Sequence, residues 1–566
     1  MSNVKTTTEL GAPMKVEKKI KRVKASQTPR EIKLIYTLLA IIFIFFLVLP
    51  LLSVLVQSFL TPTGATLDNY SETILAKGFG KAFGNSLLIA TTSAVIATAL
   101  AFFLAYTIHY TDVPPLLKRI ISVLAIFPML LPTITYGFAI IYTFGNNGIV
   151  TQLLGFRPFR IYGFNGLLLG YVIYTLPVAF MLLNNTMRYI DKKYLIVSRA
   201  LGDSRFKTFT TAVLRPLLGT LAAAIVQAFF LAFTDYGIPA AIGGRFKVLA
   251  TLLYEEMLGS VPDHGKGAVI AIMMLIPSVI SIIILQYLGR FNIRYSKISV
   301  VELSKSRSRD WTFGIGSILI LMAVLSVFVV ILVVPFTTNW PYQLDFTLDH
   351  FKSVLSDSAM TSVYTNSLIA AFATALIGTL LAFLAGLITA RSNMSKKFTS
   401  VIESVSLVTN AVPGMVLGIG FMMFFLGTPL QNTLIIIVAL NIVHYFSTPY
   451  LMTKGALEKL NSGWEVTASL MGDTWFKTVR RIIAPNVFST MAQVFSYYFV
   501  NAMVALSGVV FIVGAFTPLM TTKINELQYF NKYNEVFVLS ILILVTNLVV
   551  RGIMAAISNY KEKKNV

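Results

Sequence analysis

Long apolar runs separated by short polar segments dominate this chain. A helix needs about 20 apolar residues to cross about 30 Å of hydrocarbon. By that criterion we expect twelve spans, with approximate limits 35–59, 84–108, 120–145, 164–187, 216–240, 267–289, 313–336, 366–390, 398–426, 434–453, 486–515 and 536–550. The first run is too long for a signal-peptide core, so it is interpreted as a retained span. The pattern therefore predicts an all-α integral membrane protein with about 12 transmembrane helices.

The two halves of the pattern repeat each other. Asn85-Ser86-Leu87 recurs as Asn366-Ser367-Leu368, an offset of 281 residues, and later matches have an offset of 270. The loop 146–163 is shortened to 427–433 in the second copy, which accounts for the difference of 11. Six helices per copy make the repeats parallel, with a solute pathway expected between them. The expected segments are a basic tail 1–34, a first repeat 35–290 (core 82–287), a linker 291–312, a second repeat 313–558 (core 363–555) and a tail 559–566.

Charge and composition sharpen this picture. Hydrophobic residues make up 56% of the chain and charged residues 12%, about half the usual share of a soluble domain, and the mean hydropathy is +0.76. The formal net charge of +22 suggests nucleic acid at first sight, but the basic residues are spread over separate loops. Of the 46 Lys and Arg, 36 lie on the side of the N-terminus and 10 on the other. This asymmetry predicts that both termini are cytoplasmic, that the basic N-terminal tail meets anionic lipid and that no nucleic acid is bound.

Few polar groups within the spans are candidates for chemistry. Asp235 and Glu403 fall inside predicted spans, where a charge is costly and often functional, so they are candidates for the pathway or its gate. A capping role near a helix end is the alternative for both. His444 is expected to be a packing residue. The other histidines are scattered and the chain has no Cys, so no catalytic residue, metal site or bound cofactor is expected.

The longest paired loops on the basic side carry the most informative pattern. Each has a helical lead, a glycine that tolerates positive φ, an Asp placed to cap the next helix, and an aromatic residue suited to a partner's pocket. A surface turn resting on lipid headgroups is the alternative, but the duplication favours a repeated docking element. The candidate docking residues are Gly202, Asp203, Phe206, Lys207, Gly472, Asp473, Phe476 and Lys477.

These loops resemble the EAA signature of permease subunits of bacterial ABC importers, in which Glu-Ala-Ala is followed by a conserved glycine and Ile-x-Leu-Pro. Gly472 is followed at the family spacing by Ile482 and Pro485, with Glu465 near the acidic position. The first loop departs from the signature, since Ile196-Val197-Ser198 replaces Glu-Ala-Ala. The fused two-copy arrangement is similar to ferric-iron and 2-aminoethylphosphonate permeases.

The resemblance implies a type I permease fold in a bacterial inner membrane. It also implies that both loops act as coupling helices that dock on separate ATPase subunits, expected as a homodimer, and that an extracytoplasmic binding protein delivers the solute. No Walker-type phosphate loop occurs in the chain, so ATP is expected in the partner and the chain itself is not expected to be an enzyme.

Ferric iron is the favoured solute, and 2-aminoethylphosphonate, polyamine and thiamine remain open. Two other classes compete with an ABC permease. An ion-coupled secondary transporter also has twelve spans in two halves, but it usually keeps several ionisable groups in the membrane. A membrane enzyme needs converging acids and histidines, and the sequence offers no such group.

Overall fold

The computed structural model describes residues 30–288 and 306–565. The predicted tail before residue 30 and the linker residues 291–305 lie outside this range. The helices of the first half are α1 Arg30–Phe43, α2 Leu49–Phe59, α3 Asp68–Leu75, α4 Lys77–Tyr110, α5 Pro115–Leu124, α6 Thr133–Phe144, α7 Ile149–Leu154, α8 Phe164–Arg188, α9 Lys193–Ala200, α10 Arg205–Phe209, α11 Arg215–Thr234, α12 Gly237–Ile242, α13 Leu249–Leu258 and α14 His264–Leu288.

The second half follows the same plan. Its helices are α15 Arg307–Val333, α16 Asp349–Ser356, α17 Ser358–Arg391, α18 Lys396–Val408, α19 Gly414–Phe424, α20 Leu434–His444, α21 Ser447–Glu458, α22 Gly463–Leu470, α23 Trp475–Thr478, α24 Ala484–Asn486, α25 Phe488–Val504, α26 Met520–Tyr529 and α27 Tyr533–Asn565. Each half also has one short antiparallel hairpin, formed by β1 Leu60–Thr61 with β2 Gly64–Ala65 and by β3 Thr337–Asn339 with β4 Gln343–Phe346. Within residues 30–288 and 306–565 the fold is therefore all-α apart from these two hairpins.

The helix limits show the duplication directly. The helices α4 and α17 both have 34 residues, and their limits differ by the predicted offset of 281. The limits of α8, 164–188, map at an offset of 270 onto the combined limits of α20 and α21, 434–458. The second copy of this span is bent by 57° at its break, whereas α8 is one continuous helix.

The predicted count of twelve spans is not confirmed. Within the described residues, eight helices are long and apolar enough to cross a membrane, or ten if two bent pairs each count as one. The predicted run 398–426 is divided between α18 and α19, because Pro413 cannot continue the preceding helix. In the run 486–515, α25 has only 17 residues and ends where Ala505 adopts an extended conformation.

The first span of each half packs against the other half. The ring of Phe43 in α1 lies 4.8 Å from that of Phe446, in the second half. In the opposite direction, the hydroxyl groups of Ser317 in α15 and Thr107 in α4 lie 2.8 Å apart. The first spans of the two halves therefore cross, and each packs against the other half. Sequence repetition alone predicts two side-by-side units.

Close packing at Gly418 gives a first testable prediction. A Cβ at this position would lie 2.2 Å from the backbone oxygen of Gly508, so the helix and the neighbouring segment touch through their backbones. We expect Gly418→Leu to destabilise the protein by about 3 kcal/mol or more, since the backbone must move to admit the side chain. The thermal midpoint of the purified protein in detergent measures this. Gly455→Leu is the control, because nothing lies within 4 Å of a Cβ there, and equal midpoints for the two variants would contradict the prediction.

Candidate functional site

The first predicted docking loop is a tight turn between α9 and α10. Gly202 has a φ of +80° and reverses the chain after α9, a conformation that favours glycine. The ammonium of Lys207 lies 2.6 Å from Asp203 Oδ1, and the Ser198 hydroxyl donates to Asp203 Oδ2 at 2.8 Å. These two donors hold the pKa of the Asp203 carboxyl below its ordinary value. Ser204, rather than Asp203, caps α10 by accepting from the Lys207 amide at 3.3 Å.

The second loop repeats this construction between α22 and α23. Gly472 also has a φ of +80°, Lys477 forms an ion pair with Asp473, and Thr474 caps the next helix. The capping role predicted for the two aspartates is therefore wrong, because the next residue supplies each cap and the aspartate instead binds the lysine four residues ahead. Both turns therefore share the same glycine φ and the same Asp–Lys ion pair.

Both turns present apolar side chains to the exterior. Phe206 is 77% exposed and Phe476 is 62% exposed. Leu201 beside the first glycine and Met471 beside the second are 77% and 80% exposed. Exposed apolar groups clustered on an otherwise polar loop are typical of a docking surface. These four side chains and the two Asp–Lys pairs form what we call the paired docking surface.

The two turns are anchored to the membrane helices in different ways. In the second half, the Arg391 guanidinium at the end of α17 binds Glu465 of α22 with two hydrogen bonds, of 2.7 and 2.6 Å. Arg391 also donates to the carbonyl groups of Leu460 and Asn461. At the corresponding positions of the first half, Tyr110 and Leu195 replace this pair. Arg391 is not among the residues predicted from the sequence, where this contrast between matched positions is the only signal for it.

Asp235 lies in the core of the first half. It is 5% exposed, accepts a 2.7 Å hydrogen bond from the Thr133 hydroxyl, and accepts a 2.9 Å bond from the backbone amide of Ile238. The carboxylate therefore joins the start of α12 to the start of α6. This geometry agrees with the capping alternative, and it also leaves Asp235 close to the tyrosines Tyr136, Tyr171 and Tyr174.

Glu403 and His444 occupy different surroundings. Glu403 in α18 lies 2.5 Å from Lys454 Nζ and is 40% exposed, so the predicted intramembrane charge is an ion pair near a surface. Lys454 itself lies inside α21, which extends beyond the predicted span. His444 ends α20, next to the bend, and its Nδ1 atom has no hydrogen-bond partner in the described part of the chain. The structure therefore brings neither residue together with the paired docking surface.

Apolar spans in two matched halves, with a matched pair of exposed turns, define a polytopic membrane protein built from two repeats. Residues 97–294 and 382–560 both match the family described as the inner membrane component of binding-protein-dependent transport systems. The chain belongs to this family, and it is a multi-pass inner-membrane permease of an ABC importer with the type I fold. Such a permease works with an ATPase and a binding protein.

Individual relatives extend over most of the chain. The chain is 27% identical over 517 residues to the ferric transport system permease protein FbpB of Actinobacillus pleuropneumoniae. This alignment covers 87% of this chain and 73% of that protein. It is 26% identical over 508 residues to FbpB 1 of Haemophilus influenzae, covering 86% and 78%. A crystal structure of a bacterial ABC transporter that imports alginate aligns with a TM-score of 0.39 and 17% identity, covering 45% of this chain and 96% of that one.

Proposed function

We propose that this chain is the permease of an ATP-driven importer of ferric iron, and that the paired docking surface couples it to an ATPase dimer. The matched geometry of the Gly202 and Gly472 turns is the observation that carries the coupling role. Two turns of the same shape suit two copies of one partner, which supports an ATPase homodimer. Iron as the solute is supported by the two relatives that align along most of the chain and are ferric transport permeases by name.

The orientation of the chain belongs to this proposal. The paired docking surface lies at the ends of the spans that face the basic loops, and the positive-inside rule places that side in the cytoplasm. An ATPase is therefore able to reach both turns. The opposite ends of the spans would receive the solute from the binding protein.

The proposed function is tested by reconstituting the chain with its ATPase and binding protein in liposomes. We expect uptake of ⁵⁵Fe³⁺ that requires ATP and all three components. An absence of iron uptake, together with ATP-dependent uptake of a phosphonate, would contradict the assignment of the solute. Uptake driven by an ion gradient without the ATPase would instead indicate the secondary-transporter alternative.

The aromatic side chains of the docking surface give a further prediction. We expect the double variant Phe206→Ala/Phe476→Ala to bind the ATPase more weakly. Truncating an aromatic anchor that a partner buries costs about 2 kcal/mol, or roughly 30-fold in affinity. Pull-down of the ATPase from solubilised membranes measures this. The control is Phe156→Ala/Phe516→Ala, because these residues are 62% and 92% exposed at the opposite ends of the spans. Equal recovery of the ATPase with both double variants would contradict the docking role.

A further inference from the structure

The break between α20 and α21 lies about half-way through the membrane. The span begins at Leu434, and the bend of 57° follows His444, about ten residues along, or roughly 15 Å at the rise of an α-helix. The equivalent span α8 is continuous in spite of Pro177. Interrupted helices at mid-membrane depth commonly mark solute sites in transporters, because they expose polar groups away from lipid.

Two polar side chains next to this break have unsatisfied atoms. Asn441 is 1% exposed, and neither its amide nitrogen nor its oxygen has a hydrogen-bond partner among the described residues. The same is true of Nδ1 of His444, one turn later. Leaving a buried polar group unpaired costs about 1–3 kcal/mol. Such groups in one short stretch indicate that something other than this conformation of the protein satisfies them.

Comparison of the two halves explains why these atoms are unpaired. At an offset of 270, Asn441 corresponds to Tyr171, and Ala505 corresponds to Asp235. In the first half Tyr171 donates to the backbone oxygen of Asp235 at 3.4 Å. In the second half the corresponding backbone oxygen, that of Ala505, accepts from the Thr521 hydroxyl at 2.6 Å. The second copy therefore keeps a polar side chain at position 441, but another donor takes the acceptor that its counterpart uses.

Tyrosines from both halves meet beside these groups. Tyr174 of α8 lies close enough to Tyr445 and Tyr497 of the second half to interact electrostatically, and the ring of His444 lies 4.6 Å from that of Tyr445. Tyr174, His444, Tyr445 and Tyr497 are all half-buried, although they lie deep along their spans. An internal surface at the junction of the halves therefore reaches them.

The charge near these tyrosines has one sign. Tyr171, one turn before Tyr174 on α8, donates to the backbone oxygen of Asp235, so the Asp235 carboxylate is a negative charge beside this surface. All 46 Lys and Arg lie outside the predicted spans. A cation would gain an attractive interaction with the carboxylate and with the lone pairs of phenol, amide and imidazole. An anion would have no compensating charge at this depth.

We propose that Tyr174, Asn441, His444, Tyr445 and Tyr497 form a contact site for a positively charged solute on its path between the halves, with Asp235 as the counter-charge. This inference deepens the proposed function. It rests on that function for one statement, that solute passes between the halves. Hard oxygen ligands suit Fe³⁺, and the aromatic faces also suit a polyamine. Both candidate solutes are cations, and the experiment distinguishes Fe³⁺ from a polyamine.

The sign of the solute charge is tested by His444→Lys in the permease reconstituted with its ATPase and binding protein. We expect the added ammonium to lower uptake of the transported cation by about tenfold or more through repulsion. The neutral control His444→Gln should lower it by only about threefold or less, the loss of one modest hydrogen bond. Uptake of ⁵⁵Fe³⁺, spermidine and methylphosphonate is measured in parallel. Unchanged cation uptake in His444→Lys, or a gain in methylphosphonate uptake, would overturn the contact site.

The outcomes also separate this inference from the iron assignment. Wild-type iron uptake that His444→Lys leaves unchanged would remove the contact site and keep iron as the solute. Spermidine uptake that His444→Lys lowers, without iron uptake by the wild type, would keep the site and remove iron.

Tyrosine variants test the site without adding a charge. We expect Tyr174→Phe and Tyr497→Phe to raise the KM for the cation about threefold to tenfold each, the loss of one hydrogen bond, with ATP hydrolysis still stimulated by the binding protein. Tyr498→Phe is the matched control, because Tyr498 neighbours Tyr497 on α25 but is fully buried, and its hydroxyl donates to the backbone oxygen of Ile442 at 3.4 Å inside the protein. Equal KM values for Tyr497→Phe and Tyr498→Phe would overturn the proposal, since the effect would then follow from the loss of any tyrosine hydroxyl on this helix.

Discussion

The double variant Gly202→Val/Gly472→Val is expected to abolish ATP-driven uptake while the protein still inserts into the membrane. Both glycines have a φ of +80°, and a β-branched residue in this conformation costs at least about 1–2 kcal/mol per position. Nothing lies within 4 Å of a Cβ at either glycine. An added side chain therefore does not collide with the permease itself, and it projects from the turn into the space that the ATPase is proposed to fill. The measurement is ATP-dependent uptake in proteoliposomes, with insertion checked by protease protection.

A closely matched control exists in the same chain. Gly155 and Gly427 have φ values of +72° and +74°, and a Cβ at either position also meets nothing within 4 Å. They precede the spans whose far ends lead to Gly202 and Gly472, so they lie at the opposite membrane face. Gly155→Val/Gly427→Val therefore imposes similar backbone strain away from the docking surface and should retain uptake. Normal uptake in the Gly202/Gly472 double variant would refute the coupling role of the turns.

Arg391→Ala is expected to separate ATP hydrolysis from uptake. Arg391 is 7% exposed and Glu465 is 25% exposed, and removing one partner of a buried ion pair costs about 3–5 kcal/mol. Because Glu465 is partly exposed to solvent, the lower figure applies. It is about 3 kcal/mol, or roughly 100-fold in the population of the anchored conformation. Since the pair ties α22 to the end of α17, its loss lets the second turn move without moving the membrane helices. We expect uptake per ATP hydrolysed to fall about tenfold or more.

A double-mutant cycle identifies the pair as the cause. Arg391→Ala and Glu465→Ala should have strongly non-additive effects on uptake per ATP, because each removes the same interaction. Lys523→Ala is the control, since its pair with Glu526 is formed by a glutamate that is 51% exposed, and exposed pairs contribute about 0–1 kcal/mol. Additive effects of the two alanine substitutions would contradict an anchoring role for this pair.

The Arg391–Glu465 pair is also a physical difference between the two loops. The second turn is fixed by four hydrogen bonds from one guanidinium. In the first half, Tyr110 stands at the position of Arg391, and the ammonium of Lys192 lies 5.9 Å from the centre of its ring, a cation–π contact. The two turns thus share their shape and differ in the chemistry that ties them to the spans.

Much of this protein is determined by its sequence alone. Apolar length, the parallel repeat and the asymmetry of basic residues depend on the order of residues along the chain and on the bilayer as a solvent, so they predict the fold class without any tertiary information. The glycines at 202 and 472 were identified in the same way, because a turn between two short helices is a local structure. Phe206 and Phe476, which follow these glycines, are exposed.

Other features were decided only by tertiary structure. The crossing of the first spans, the break of two predicted spans, the Arg391–Glu465 anchor and the unpaired atoms of Asn441 and His444 all depend on residues far apart in the chain. Arg391 and Glu465 are separated by 74 positions, and Thr107 and Ser317 by 210. In an apolar solvent every span is favourable by itself, whereas packing alone decides which polar group finds a partner. The sequence therefore determined what crosses the membrane, and the tertiary structure decided which polar groups are left to meet the solute.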